Sequence, residues 1–449
     1  MSRYDLAVIG SGQGGVPLAV DAASRGKRVV LFERGELGGC CVNVGCTPSK
    51  AFLASAHAAG RARRASDVHV ACEVTPDVPA VMERVRGIVG EWRSGVETKL
   101  AQSSVELVRA EASFAAPQTL RANGTTYEAD AVVLDTGGRP AVPPIDGLEG
   151  TPYVTSDTFF AQERLPERLV VLGGGYVGLE LGQGAARLGS RVTIVTPEDR
   201  LLSREEVDVG AVLARSFERD GMRIVLERSA SRVAYDGATF RVTLDDGGTV
   251  AGDGLLVATG RRPNVPEGTV ERAGIALDER GYVACDDRLR ASVPGHYALG
   301  DVAGQPQFTH VSWEDFRRLR AILDGDLSRR RDDRVLAYAM YTEPQVGRAG
   351  ITADQAARAG RNHRAVTLAL ADVARGPEWS LEDGFFRLVV DQDDDRILGA
   401  TFVGYEAGEL IHVILAHMEA GSTWRVLERS VHVHPTFAEG LPTLARLLL

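Results

Sequence analysis

The sequence predicts an α/β protein with two parallel-sheet units of βαβ type and a mixed α+β domain at its C-terminal end, on three observations. First, "YDLAVIGSGQGGVPLAVDAASRGKRVVLFER" and "RLVVLGGGYVGLELGQGAARLGSRVTIVTPEDR" repeat one pattern: buried strand, glycine turn, helix of small residues, second strand. Second, each repeat carries G-x-G-x-x-G directly after its first strand: Gly10, Gly12 and Gly15, then Gly173, Gly175 and Gly178. Third, the texture changes from about Arg331, where "LAYAMYTEPQVGRAG", "DGFFRLVVDQDDDRILGATFVG" and a helical tail read as a separate sheet domain. In such a turn the first glycine makes the bend, the second admits a pyrophosphate to the backbone, and the third lets helix pack on strand. The helix N-terminus then offers its free N–H groups to the phosphates. Two motifs, each in a full βαβ setting, predict two Rossmann-like dinucleotide-binding domains.

In the first unit Glu33 closes the strand "VVLFE", where a carboxylate can accept hydrogen bonds from the ribose of an adenosine. The second unit has Thr196 at that place. Neither an acid for NAD nor an arginine for the 2′-phosphate of NADP stands there, and Glu198, Arg200 and Arg204 lie nearby, so the nicotinamide preference stays open. Between the units, "YEADAVVLDTGGRPAVPPIDG" reads as strand, turn and proline-rich exit, with "VAGDGLLVATGRRPNVPEG" as its counterpart. The paired TGGRP and TGRRP turns extend the repeat and suggest an internal duplication. "GHYALGDVAG" is a further strand entering a glycine turn. These breaks divide the chain into 1–146, 147–257, 258–330 returning to the first domain, and 331–449. "DQDDD" reads as a solvated hairpin turn.

At 449 residues the chain has room for about three domains. A net charge of −10 argues against nucleic acid or an anionic membrane as partner, since both select cationic surfaces. No apolar run approaches bilayer-spanning length, and "MSRYDLAVIGSGQGG" reads as strand and turn rather than as a signal peptide. Five cysteines, with Cys72 and Cys285 far apart, do not make a secreted-type disulfide framework. A cytoplasmic location is expected, where a disulfide is usually catalytic.

"GGCCVNVGCTPSK", residues 38–50, holds the other three cysteines. Cys41 and Cys46 stand five apart just inside an expected helix start. In a regular helix their Cα atoms would be roughly 8 to 9 Å apart, beyond a disulfide's reach of about 7 Å. A bridge therefore needs a distorted turn, for which Gly45 supplies freedom, and strained bridges are the reactive kind. Zinc would need a fourth ligand and closer spacing, and no second Cys/His cluster provides them. Cys40 cannot readily bridge its neighbour Cys41, because adjacent Cα atoms are only about 3.8 Å apart; it reads as a small side chain packing near a cofactor.

This stretch resembles the redox signature of the class I pyridine nucleotide–disulfide oxidoreductases: GG, one residue, C-x4-C, then P-x-K. The likeness runs through the chain, since "GGGYVGLE", "ATGRRPN", "ALGDV", "YTEPQVG" and "HVHPTFAE" follow in family order. It implies an FAD domain, an inserted NAD(P) domain taking NADPH or NADH, and a C-terminal interface domain that makes a homodimer with active sites shared between chains. FAD would lie along Gly10, Gly12, Gly15, Glu33, Gly39, Cys40, Ala112 and Gly137, with Asp301 on the ribityl chain. The helix from Thr309 would stabilise charge on the reduced ring. The nicotinamide cofactor would lie along Gly173, Gly175, Gly178, Thr196, Val233 and Gly260. Cys46 would be the thiolate against the flavin and Cys41 the thiol that exchanges with substrate. Lys50, paired with Glu180, would sit near the flavin, and Tyr176 would cover it until the nicotinamide displaces the ring. His434, oriented by Glu439, would be the base over the partner's thiols. His432, on the same expected strand, is read as structural.

The tail "GLPTLARLLL" has no cysteine, which speaks against mercury transfer by a C-terminal pair. "GQPQFTHVSWEDFRRLRAILDG" is similar instead to the reactive-chlorine-resistance branch, similar to copper reductases. The resemblance thus implies a disulfide or a metal ion such as Cu(II) or Hg(II) as acceptor; dihydrolipoamide dehydrogenase and a low-turnover flavin redox sensor are the alternatives. Three positions depart from the family: Asp135 in "LDTGG" is usually small or apolar, Cys40 replaces a residue that is often Thr, and Ala438 stands where Ser is common.

Overall fold

The computed structural model describes residues 2–265 and 270–449. The first sheet is built round Ser2–Ile9, flanked in parallel by Val29–Glu33 and Thr125–Leu134, with Glu106–Arg109 beyond. Both faces of these strands are covered, so they read as nearly unbroken apolar runs. Thr119–Ala122 and Ser113–Ala116 extend one edge as antiparallel strands. His296–Ala298 joins Thr125–Leu134 in parallel, so this late strand belongs to the first sheet.

The second parallel sheet runs Arg223–Val225, Arg191–Val195, Arg168–Leu172, Gly254–Val257, with an antiparallel ribbon of Ala230–Tyr235, Phe240–Leu244 and Thr249–Gly252 beside it. The repeated TGGRP and TGRRP turns meet: Gly138–Pro140 pairs antiparallel with Arg261–Pro263, tying the two crossings between domains together. The last part of the second proline-rich exit, residues 266–269, lies outside the described residues.

The C-terminal domain is a five-stranded antiparallel sheet in the order Ala337–Met340, Gln345–Gly350, Ile397–Gly404, Phe385–Asp391, His363–Ala369, with helices on it. "DQDDD" is the turn between Phe385–Asp391 and Ile397–Gly404, and Asp395 also accepts bonds from Trp424 and Arg425.

Two helices position the candidate residues Cys46, Lys50, Tyr176 and Glu180. Cys46–Arg63 lies against Tyr176–Arg187 with almost no gap: a Cβ at Gly184 would meet the Phe52 ring at 2.4 Å, and one at Gly60 the Arg187 side chain at 2.7 Å. Buried Glu343 of the C-terminal domain clamps the contact, accepting from Arg187, from Arg61 at 2.5 Å and from Arg64 at 2.9 Å. Removing one member of such a buried ionic group would strand the others at high cost.

Candidate functional site

The chain bends at both glycine turns in conformations closed to other residues. Gly10 has φ +105° and Gly173 φ +118°, and a Cβ there would strike the carbonyl of Asp135 at 2.2 Å or of Ala258 at 2.4 Å. Gly12 and Gly39 bring two backbones together, the Cβ of Gly39 falling 2.9 Å from Gly12 Cα. Glu33 steadies the first turn: one oxygen accepts from Ser11 N at 3.0 Å and Ser11 Oγ at 2.6 Å, the other from Gly35 N at 2.8 Å. Buried Thr136 Oγ1 beside this turn has no hydrogen-bond partner among the described residues. A backbone cradle, a helix N-terminus, a strand-end carboxylate and an orphaned hydroxyl fit a dinucleotide such as FAD. At the second turn Thr196 is buried against Gly174, while Arg200 is engaged by Asp199 and the Ser203 carbonyl.

Asp135 is a buried carboxyl that accepts from Gly15 N at 2.7 Å, at the start of the first helix. Burial raises it well above the carboxylate range, against the pull of that hydrogen bond and with help from Asp301 and Glu33.

The expected distortion between the cysteines is present. Helix Gly39–Asn43 stops, Val44 N and Gly45 N both bond to the Cys40 carbonyl, and a new helix starts at Cys46. Cys41 and Cys46 are free thiols that hydrogen bond to each other. That bond lowers Cys46 to about 6, against the effect of burial and with aid from Thr309 and Lys50. The same bond, then burial, raises Cys41. The pair divides its charge in one direction, with thiolate at Cys46 and thiol at Cys41. Cys40 is pushed up to about 11 by burial although Arg261 Nη2 is 3.4 Å from its sulfur.

A circuit of contacts surrounds Cys46. Lys50 follows it by one helical turn and meets Glu180 at 2.7 Å; Glu180 follows Tyr176 by one turn on the neighbouring helix. Glu180 also accepts from Tyr341 N at 2.8 Å, and the Lys50 ammonium lies 4.8 Å from the Tyr341 ring centre. On the other side Thr309 Oγ1 is 3.1 Å from Cys46 Sγ and opens helix Thr309–Leu323. Phe308 before it stacks on Tyr338 at 5.0 Å, and Tyr338 meets Tyr176 edge-on at 5.9 Å. The circuit closes at Tyr176.

His434 Nδ1 is 2.8 Å from Glu439 Oε2, and its side chain is 71% exposed. The segment between helices Trp424–Arg429 and Gly440–Arg446 is irregular, which corrects the strand reading used for His432; that ring bonds to Ser430 Oγ at 2.9 Å. Ala112 and Val233 are core side chains, and Val233 N bonds to the Asp146 carbonyl. Asp301 lies beside Gly138, while the carbonyls of Gly137 and Gly260 accept from Asn264 N and Ala141 N. Among the described residues no three His, Cys, Asp or Glu group as a metal site, and no helix is long and apolar enough to cross a membrane. Sequence reasoning missed Glu205 and Tyr338, which meet Tyr176, and Arg348, which pairs with Glu205, all from distant segments without any spacing signal.

Residues 4–315 match the family description pyridine nucleotide-disulphide oxidoreductase, and residues 336–445 match the dimerisation domain of that family. The chain is 37% identical to mercuric reductase of Streptomyces lividans, over 99% of this chain and 96% of that one. It is 34% identical to dihydrolipoyl dehydrogenase of Thermus scotoductus, over 100% and 98%. Among solved structures, a Cu(II) complex of the HOCl-induced flavoprotein disulfide reductase RclA from Escherichia coli is similar with a TM-score of 0.91 at 30% identity, each chain covered to 100%.

Proposed function

The chain belongs to the pyridine nucleotide-disulphide oxidoreductases, enzymes that use FAD and NAD(P)H, and on that premise we propose that it carries electrons from NAD(P)H through the flavin to Cys41–Cys46 and on to a small disulfide or a soft metal ion. The observation that carries this reading is the seat of Cys46, with Thr309 Oγ1 3.1 Å from its sulfur, the Lys50–Glu180 pair one helical turn on, and Cys41 across the helix break. The flavin supplies, when bound, the two-electron chemistry between nicotinamide and disulfide.

Gly10, Gly12, Gly15 and Gly39 would hold its pyrophosphate side, Glu33 its ribose and Asp301 its ribityl chain. Breaking the Cys41–Cys46 bond with two electrons and one proton leaves a thiol at Cys41 and a thiolate at Cys46. Cys41 then attacks a substrate sulfur or binds a metal ion once its proton is removed. The partner subunit's His434, held by its glutamate, is the base in this reading, so the working unit is a homodimer. A cytoplasmic site of action belongs to the same reading.

Mercuric reductases among the relatives and the Cu(II) complex of RclA support a metal-ion acceptor. Whole-length identity to dihydrolipoyl dehydrogenases supports the second reading, oxidation of dihydrolipoamide. Steady-state assays with Cu(II), Hg(II), oxidised glutathione and dihydrolipoamide separate the two. Turnover confined to dihydrolipoamide with NAD⁺ overturns the first; failure of NADH and NADPH to reduce the flavin overturns both.

A further inference from the structure

We propose that the buried carboxylate of Glu205 is a latch on Tyr176, holding that ring in place until the nicotinamide cofactor displaces it. The inference rests on the reading of Tyr176 as the cover of the flavin and adds what fastens the cover. Glu205 is 4% exposed. Its Oε1 accepts from Tyr176 OH at 2.5 Å and from Tyr338 OH at 2.7 Å, and its Oε2 from Arg348 Nη1 at 3.3 Å. Arg348, 2% exposed, is itself fixed by Thr401 Oγ1 at 3.0 Å and Gln355 Oε1 at 3.2 Å. The carboxylate is thus anchored to the C-terminal domain, and Tyr176 is the one of its three partners that stands at a dinucleotide turn. Hydrogen bonds to an ionised acceptor are about twice as strong as neutral ones. Burial, then the adjacent carboxylate, raises both phenols, so each keeps the proton it donates to Glu205.

The latch also borders the place where a nucleotide would be sensed. Glu205 ends the segment that begins at Thr196, and this segment is pinned to the second glycine turn by Leu202 N to the Gly174 carbonyl at 3.0 Å. Its own N–H bonds to the Leu202 carbonyl at 2.7 Å. A dinucleotide on that turn lies two backbone hydrogen bonds from the residue that holds Tyr176.

A closed cover reduces apparent affinity by the fraction of molecules that are open. Tyr176→Phe keeps the ring and removes the bond, so NAD⁺ or NADP⁺ binding to the FAD-loaded dimer, read by titration calorimetry, should tighten about tenfold. Loss of structure would weaken nucleotide binding, so the direction of the change separates release of a latch from a folding defect. Glu205→Gln, with Glu206 Oε2 at 3.9 Å still facing Arg348, should tighten binding similarly, yet add nothing in the Tyr176→Phe background. Unchanged affinity in Tyr176→Phe overturns the latch, and so do additive effects of the two substitutions. Binding is read without turnover, so a flavin that neither nucleotide reduces would count against the proposed function and leave this comparison intact.

Discussion

Thr309→Val measures how much of the Cys46 thiolate depends on the hydroxyl at the start of helix Thr309–Leu323. Valine has the shape of threonine without the oxygen that lies 3.1 Å from Cys46 Sγ. In the reduced pair the bond from Cys41 is the largest effect bringing Cys46 to about 6, Thr309 and Lys50 add to it, and burial opposes them. A hydrogen bond to a charged group contributes about 1.5 kcal/mol at the low end. The low end applies because Thr309 ranks behind both the Cys41 bond and burial among the effects on this sulfur. One pKa unit is about 1.4 kcal/mol, so the midpoint should rise by about one unit. Thiolate is the form present above the midpoint and is lost as pH falls through it. At pH 7 the ionised fraction should therefore drop from about nine-tenths to about half. The assay is the long-wavelength thiolate–flavin absorption of the anaerobic, two-electron-reduced enzyme, titrated from about pH 5 to 9. A midpoint that moves by less than about 0.3 unit would refute the assignment of Thr309 as a donor to this sulfur.

Asp135→Asn keeps an oxygen for Gly15 N–H and removes a buried acid. The native carboxyl, raised by burial, keeps a proton that the unfolded chain loses above about pH 4, so stability falls as pH rises through that window. The substitution should raise Tm more at pH 8 than at pH 4, and a Tm gain independent of pH would show that Asp135 is not held protonated. Cys40→Ser should lower turnover far less than Cys41→Ser, because burial raises the Cys40 thiol to about 11 and leaves little thiolate at neutral pH; equal losses would move the exchange chemistry to Cys40. His434→Ala and Cys41→Ser should each be nearly inactive, and their isolated heterodimer should regain about half of wild-type turnover, one site having both groups and the other neither. A heterodimer as inactive as its parents would mean that His434 does not serve the partner's thiols.

What was legible in the sequence is what chemistry forces into short spacing. Gly10 and Gly173 need conformations that only glycine takes without strain. The C-x4-C interval needs a break in the helix, and the break occurs at Val44 and Gly45. The repeated TGGRP and TGRRP turns hinted at a shared origin, and their pairing as strands was beyond what repetition alone can state. The Lys50–Glu180 pair came from resemblance to a family, since the two stand 130 positions apart with no periodicity to link them.

The illegible part has one physical cause. Glu205 has no neighbour at helical or strand spacing that would explain it; its partners Tyr176, Tyr338 and Arg348 come from one helix start and two strands of another domain. Each of these residues alone has an ordinary reading as a half-buried aromatic or a surface charge. Only tertiary packing turns them into a buried carboxylate with three donors, and only burial gives the arrangement its strength. Asp135 marks the boundary between the two kinds of knowledge. Its sequence position identified it as a departure from the family pattern, but not whether it was a surface acid or a functional one. The contact with Gly15 N supplies a reason for an oxygen at that place, and burial, helped by the neighbouring Asp301 and Glu33, supplies a reason for the group to be neutral. An amide would meet both demands and a carboxylate meets the second only by keeping its proton, which is why the pH dependence of Asp135→Asn, rather than its mean effect, tests the account.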